Sequence, residues 1–346
     1  MREAASSNPV LVEVTRGSLV ESRHRGAIAV ARADGELLLA LGDVTRPVYP
    51  RSAVKLLQAV PLVESGTADA FRLDDKELAV ACASHSGDRV HVEPARSLLA
   101  KAGLDESLLA CGAHWPISEH ATRELLREGR RPAPIHNNCS GKHAGMIATA
   151  VHLGLDPKGY ERPDHQVQTA IARVLSETCG VALQLDLMGI DGCSVPTFAL
   201  PLAALAQGFG RVASGEELPA PRADAMRRLM QACFAAPVLV AGEGRFDTDV
   251  MHALAPACFV KGGAEGVHCA ALPELGLGIA LKIDDGGKRG TEIALAATLA
   301  ALLPDAKAAL SDRIETDIET LRGARAGRIA ASAELQSALG ELAARD

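Results

Sequence analysis

The chain has 346 residues, of which 48% are hydrophobic and 23% charged, a composition typical of a globular protein with a sizeable core. Its net charge of −7 and the lack of a clustered run of Lys and Arg argue against a nucleic-acid partner, and no apolar stretch is long enough to predict a membrane span. No secretion signal is recognisable and the eight cysteines are scattered, so we expect reduced thiols and a cytoplasmic location.

The N-terminal segment is predicted to form β-structure. Residues 11–15 alternate between apolar and polar side chains and are rich in β-branched ones. Residues 26–33 and 36–41 flank Asp34-Gly35, a dipeptide typical of a tight hairpin turn. We therefore expect a strand followed by a hairpin.

The middle of the chain is predicted to be helical. Val54, Leu57 and Leu62 recur with a helical period over residues 52–63. The same period and its boundary signals predict further helices at residues 76–82, 92–102, 119–127, 141–153, 165–178, 197–206 and 222–234.

Strands return late in the chain. They are predicted at residues 257–263 and 276–283, with a turn at residues 272–274 between them. Residues 291–303 are rich in Ala and Leu and predict a helix, and the Ala-rich tail from Lys307 onward is predicted to be helical as well.

Strands at both ends and helices between them predict an α+β fold (an α/β sandwich), in which one antiparallel sheet built from both chain ends is covered by helices. No linker or repeat separates independent domains. We expect one catalytic unit over residues 1–346, with a helical insertion of roughly residues 64–250 between the N- and C-terminal strands.

The first chemical signal is a serine three residues before a lysine. A helix that begins here places Ser52 and Lys55 one turn apart on the same face. Serine becomes a good nucleophile when a base removes its proton, and lysine is such a base when burial or a second cation lowers its pKa. The pair alone also fits a helix cap and a surface lysine. Ser84 follows further along the chain, and Lys261 lies on a glycine-rich late strand. An early Ser-x-x-Lys, a later serine and a late strand lysine occur in the same order in β-lactamases.

A second polar cluster contains Asn138, Cys139, Lys142 and His143. Such side chains at a helix start are costly to stability when buried without a purpose. Cys193 follows in a later polar loop. Two thiolates can share a metal ion, although two small core cysteines give the same pattern.

Together these blocks resemble the rhizobial-type (class 3) L-asparaginases, the asparaginase II family, from about Val10 to Leu303. The run His-Asn-Asn-Cys-Ser-Gly-Lys-His at residues 136–143 is the most specific match, and Ser194 stands where the family commonly has glycine. The resemblance implies a serine β-lactamase/penicillin-binding-protein-like fold and a homodimer. It implies two catalytic serine–lysine tandems, Ser52 with Lys55 and Ser84 with Lys261. It also implies one zinc ion per subunit, held by Cys139, Lys142 and Cys193.

The implied reaction is hydrolysis of L-asparagine to L-aspartate and ammonia. By analogy with β-lactamases, Ser52 is the expected nucleophile and Lys55 its base, with the reverse assignment of the tandems left open. Because asparagine is a zwitterion, Arg51 is expected to bind its carboxylate and Asp191 its ammonium group. Asn138 or His143 is expected to bind polar substrate atoms.

Two alternative functions follow from the same residues. One is a glutaminase or another β-lactamase-like serine amidohydrolase, since glutamine is only one methylene longer than asparagine. The other is a protein that binds zinc or an amino acid without catalysis. The presence of both serines and both lysines favours an enzyme.

Overall fold

The computed structural model describes residues 7–303 and 305–344, and this part of the chain is built on a large antiparallel sheet with helices packed against it. Its strands are Val10–Arg16 (β1), Leu19–Arg32 (β2), Leu37–Leu41 (β3), Pro47–Val48 (β4), Met188–Ile190 (β5), Pro196–Phe198 (β6), Leu200–Pro201 (β7), Phe259–Gly263 (β8), Val267–Leu272 (β9), Leu277–Ile283 (β10), Glu315–Glu319 (β11) and Arg325–Ala331 (β12).

The helices fill most of the chain between β4 and β8 and return after β10. They are Lys55–Glu64 (α1), Thr67–Ala70 (α2), Asp75–Ala81 (α3), Arg89–Lys101 (α4), Glu119–Arg127 (α5), Ser140–His152 (α6), Gln166–Cys179 (α7), Leu202–Ser214 (α8), Ala220–Ala235 (α9), Pro237–Val240 (α10), Phe246–Leu254 (α11), Lys288–Leu302 (α12), Ala306–Ala309 (α13), Ser311–Ile314 (α14) and Ala333–Ala343 (α15). None of these helices is long and apolar enough to cross a membrane.

The main sheet joins the two ends of the chain. Its strand order is β11-β12-β1-β2-β10-β9-β8, with β3 also paired to β2. The long strand β2 organises this sheet, because its first half pairs with β1 and its second half, from Gly26 to Arg32, pairs with β10. The α+β class and the antiparallel sheet built from both ends are therefore confirmed.

Helix α8 packs closely against the centre of this sheet. Its contact with β10 passes through Gly278, where a Cβ atom would lie 2.1 Å from Ala206 O and 2.1 Å from Gly210 N. Only glycine permits such a close approach of helix and strand backbones. The hairpin predicted at Asp34-Gly35 is also confirmed, since β2 pairs with β3 across it.

The prediction of a helical tail is wrong for β11 and β12. Residues Val12–Arg16 of β1 pair with Gly327–Ala331 of β12, and β12 pairs in turn with β11. Alanine-rich composition favours a helix locally, but pairing with the open edge of β1 supplies backbone hydrogen bonds that a local pattern does not reveal.

Two further segments differ from their predictions. The sequence pattern predicts one helix over residues 197–206, but helix α8 begins only at Leu202, after β6 and β7. Pro201 occupies the N-cap of that helix and restricts the residue before it to extended backbone. Strand β9 has no signal in the sequence pattern, because all of its residues are buried and no alternation marks it.

Candidate active site

A cavity of about 250 Å³ opens beside β8, where the starts of α11 and α12 approach the turn before α1. Both candidate serines line it, together with residues from several separate parts of the chain. The lining comprises Ser52, Ser84, Asn138, Arg245, Phe246, Asp247, Gly262, Gly263, Ala264, Glu265, Gly266, His268, Gly286, Lys288, Thr291 and Glu292. The structure thus brings the two predicted serines to one opening.

Ser52 lies in a short 3-10 turn, Arg51–Val54, immediately before α1. Lys55 is the first residue of α1 and its side chain is buried. Its Nζ donates to Ala83 O at 2.6 Å and to Cys139 Sγ at 3.1 Å, and a longer contact of 3.4 Å reaches Asn138 O. The backbone N–H of Lys55 donates to Ser52 O, but within the described chain no side-chain hydrogen bond joins the two residues, and the lysine amine lies against the residue that precedes Ser84.

Ser84 follows α3 and its backbone N–H donates to Val240 O at 2.9 Å. The Oγ atom is buried and has no hydrogen-bond partner among the residues that the structure describes. Burying an unpaired hydroxyl costs about 1–3 kcal/mol. Because Ser84 lines the cavity, its Oγ is available to a ligand that would supply the missing partner.

Lys261 is completely buried on β8 and belongs to a charged cluster. Its Nζ contacts Asp247 Oδ2 at 3.4 Å and donates to Gly262 O at 2.8 Å. Asp247 also accepts from the Gly262 N–H at 2.9 Å and from His268 Nε2 at 2.8 Å. Burial lowers the pKa of Lys261 to about 8, although Asp247 acts in the opposite direction. Lys261 therefore loses its proton more readily than an exposed lysine.

The three predicted metal ligands lie together at the start of α6. Lys142 Nζ is 3.1 Å from Cys193 Sγ, and Cys139 Sγ lies 3.1 Å from the amine of Lys55. The pKa of Cys139 is held well below its ordinary value by a hydrogen bond from Cys193 and by the two nearby lysines. Burial alone would lower the pKa of Lys142, but the neighbouring thiols outweigh it and raise that pKa.

Two sulfur donors and one nitrogen donor suit zinc, so the residues present fit the predicted ion. Across residues 7–303 and 305–344, no three His, Cys, Asp or Glu side chains are grouped so as to hold a metal. A zinc site here would therefore depend on the amine of Lys142 as its third protein donor.

The predicted substrate ligands occupy different environments. Arg51 and Asp191 pair with each other through Arg51 Nε at 3.2 Å and Nη2 at 2.9 Å, both directed at Asp191 Oδ1. Asn138 lines the cavity. His143 is fully buried and its Nδ1 lies 2.5 Å from the hydroxyl of Tyr160, and it is not among the residues that line the cavity.

Arg51 and Ser194 flank this region in strained backbone conformations. Arg51 has a φ of +50° and Ser194 has a φ of +75°, both in the left-handed region. Ser194 closes a turn in which its N–H donates to Asp191 O at 2.8 Å. The left-handed backbone explains why glycine suits position 194, and serine holds the same turn at some cost in strain.

Sequence reasoning missed Arg245, Asp247 and His268. Asp247 lies in the first turn of α11 beside Asp249, where acidic residues are common, so no signal in the sequence marks Asp247 as buried. Its partners come from β8 and β9, so no spacing in the sequence connects them.

Comparisons with known proteins place the chain in a family. The sequence model described as L-asparaginase II matches residues 12–331. No curated protein sequence is significantly similar. Among solved structures, Mglu in its native form has 16% identity and a TM-score of 0.42, over 84% of this chain and 67% of that one.

A β-lactamase from Mycobacterium bovis has 15% identity and a TM-score of 0.39, over 83% of this chain and 94% of that one. The chain therefore spans about two thirds of the length of the Mglu structure and most of the length of the β-lactamase. TM-scores this low say nothing about activity.

Proposed function

The chain belongs to the L-asparaginase II family, and from that premise we propose that it hydrolyses L-asparagine to L-aspartate and ammonia. Membership makes it a hydrolase that acts on amides. The observation that best supports the proposal is the composition of the cavity. It is lined by Ser52, by Ser84 with its unpaired Oγ, and by the two glycines that follow Lys261 on β8.

The proposed chemistry is acyl transfer through a serine. Ser52 Oγ attacks the side-chain amide carbon of asparagine, the C–N bond breaks, and the serine proton passes through a neutral lysine to the leaving nitrogen, which departs as ammonia. Water then hydrolyses the ester, which releases aspartate and restores the serine. We assign Lys55 as the base of Ser52, and Ser84 with Lys261 as a proton relay.

The buried amine of Lys55 donates to Ala83 O at 2.6 Å and to Cys139 Sγ at 3.1 Å. The position of the Lys55 amine beside residue 83 also allows it to serve Ser84, so the two serines need a direct test.

We propose one zinc ion per subunit at Cys139, Lys142 and Cys193. Bound there, zinc would supply a Lewis acid that polarises a carbonyl of the substrate. Cys139 and Cys193 must be thiolates and Lys142 neutral for this, whereas the metal-free chain favours a charged Lys142. Asp191, Asn138 and His143 remain proposed ligands of polar substrate atoms. A cytoplasmic homodimer also remains our expectation.

Ammonia release by the purified protein tests the activity, with L-asparagine, L-glutamine and a chromogenic β-lactam as parallel substrates. We expect a clear preference for L-asparagine. Equal or greater kcat/KM for glutamine, or turnover of the β-lactam alone, would contradict the proposed substrate.

Serine variants in the same assay test the nucleophile. Ser52→Ala is expected to lower kcat by at least about 10³-fold, because no other group forms the acyl bond. Ser107→Ala is the matched control, since Ser107 is exposed on a distant turn. Retained turnover in Ser52→Ala together with loss in Ser84→Ala would reverse the roles of the two serines.

A further inference from the structure

Arg245 lines the candidate active-site cavity from the N-cap of α11. Its Nη1 donates to Ser84 O at 2.5 Å and to Ala241 O at 3.0 Å. Its own backbone is fixed as well, because its N–H donates to Gly242 O at 3.3 Å and its C=O accepts from Asp249 N at 3.0 Å. The guanidinium is therefore held at one end, directly beside the residue that carries the unpaired hydroxyl.

The opposite edge of this guanidinium is free to bind. Within the described ranges, Nε and Nη2 of Arg245 make no hydrogen bond and no carboxylate forms a salt bridge with the side chain. The Nε–Nη2 edge is one of the two edges by which arginine grips a carboxylate with two parallel hydrogen bonds.

Three other cations near the cavity are each paired with a carboxylate. Arg51 is paired with Asp191 at 2.9 Å, and Lys288 is paired with Glu292 at 3.2 Å. Lys261 lies 3.4 Å from Asp247. Of these groups, Arg245 alone has a positive charge that no carboxylate of the described chain balances, and an anionic group of a ligand would supply the balance.

We propose that Arg245 binds the α-carboxylate of the substrate and so favours amides that carry a neighbouring carboxylate. This inference rests on the proposed function. It gives Arg245 the carboxylate-binding role that the sequence suggests for Arg51, and it leaves the Arg51–Asp191 ion pair intact.

The distances support this placement. In asparagine the amide carbon and the carboxylate carbon are separated by three bonds, a span of at most about 4 Å. Arg245 Nη1 lies 2.5 Å from the carbonyl oxygen of Ser84, so its free edge is within a few bond lengths of the Ser84 side chain. An amide positioned at Ser84 would therefore bring the carboxylate to Arg245 without stretching, and Ser52 lines the same cavity.

Three substrates isolate the carboxylate contact. L-Asparagine carries both charged groups, succinamate lacks the ammonium group, and 3-aminopropanamide lacks the carboxylate. For Arg245→Gln we expect kcat/KM to fall on the order of 100-fold for asparagine and for succinamate, mostly through KM, because a carboxylate then enters without its cation. With 3-aminopropanamide, kcat/KM should change less than about threefold.

Arg245→Lys should recover part of the loss, since it restores the charge without the two-pronged geometry. Arg51→Gln in the same assay tests the rival assignment. Arg227→Gln, at an exposed ion pair on α9, is the control for a lost arginine.

An equal loss with all three substrates would show that Arg245 only supports the Ser84 backbone, and would overturn the inference. A selective loss for the carboxylate substrates in Arg51→Gln, with Arg245→Gln unaffected, would overturn it as well. Failure of the wild-type protein to release ammonia from any of the three would instead reject the proposed function.

Discussion

Asp247 shows how one buried carboxylate controls several groups. It accepts hydrogen bonds from the Gly262 N–H and from His268, and it lies 3.4 Å from Lys261 Nζ. Together these contacts hold the pKa of Asp247 well below its usual range, in spite of its burial. Asp247 therefore stays ionised, holds Lys261 in position and favours its charged form.

We expect Asp247→Asn to change the pH dependence of kcat/KM. Burial lowers the pKa of Lys261 to about 8, with Lys55 and Arg245 acting in the same direction and Asp247 opposing them. Removing the negative charge lowers that pKa further, so more Lys261 is neutral at a given pH. The rise of kcat/KM with pH should move to lower pH by on the order of one unit.

Asp249→Asn is the matched control for this change, because Asp249 lies on the same helix but pairs with Arg313 near the surface. Its profile should coincide with that of the wild type. A profile for Asp247→Asn that falls at every pH without moving would mean that Lys261 does not titrate during the reaction.

At the scale of elements, the contact between α8 and β10 positions the central sheet. Gly278 allows the strand to lie directly against the helix backbone, since a Cβ there would be 2.1 Å from Ala206 O. Neither backbone can move aside like the end of a flexible side chain. The packing of this helix therefore depends on the absence of a side chain at Gly278.

Gly278→Ala is expected to lower the free energy of unfolding by about 1–3 kcal/mol, because the added methyl forces strand and helix apart. Gly340→Ala on α15 is the control, since a Cβ added there would have no heavy atom of the described chain within 4 Å. That substitution should stabilise the protein by about 0.5–1 kcal/mol through helix propensity. Urea unfolding midpoints of the two variants provide the measurement, and equal midpoints would contradict the close packing.

The C-terminal strands show a second effect at this scale. Strands β11 and β12 extend the sheet beyond β1, and α15 then returns to pack on β1 and on β3. Ser332 begins that helix by accepting from Leu335 N at 3.1 Å. The alanine-rich C-terminal segment thus forms strands where it extends the sheet and a helix where it packs on β1 and β3.

On the scale of the whole molecule, zinc bound by the two thiolates is expected to stabilise the folded chain. Ions that bind the folded chain stabilise it by about 2.7 kcal/mol at a concentration of 100 times Kd. We expect zinc to raise Tm of metal-free protein by several degrees, and to raise it less at pH 6 than at pH 8, because the ligands must lose protons.

Cys193→Ser should abolish the rise in Tm, whereas Cys258→Ser should keep it. Both cysteines are buried, but Cys258 has only a long contact with the carbonyl of Phe259. Differential scanning fluorimetry with and without zinc gives the comparison. A rise of the same size in Cys193→Ser would place the metal elsewhere.

The sequence alone determined the features that depend on neighbours along the chain. The helix predicted at residues 119–127 is α5, Glu119–Arg127, and in the structure Ser118 caps it by accepting from Ala121 N. The hairpin follows from Asp34-Gly35, and the spacing of Ser52 and Lys55 follows from a helix start. The order of strands and helices predicted the α+β class, and the blocks shared with the family predicted an amidohydrolase.

Only the tertiary structure decided which distant groups meet. Asp247 joins Lys261 and His268 because α11 packs on the edge of the sheet, and Arg245 reaches the carbonyl of Ser84 for the same reason. The strands β11 and β12 form because β1 offers an edge to pair with. These contacts join residues far apart in the sequence, so their energies depend on packing that no local pattern contains.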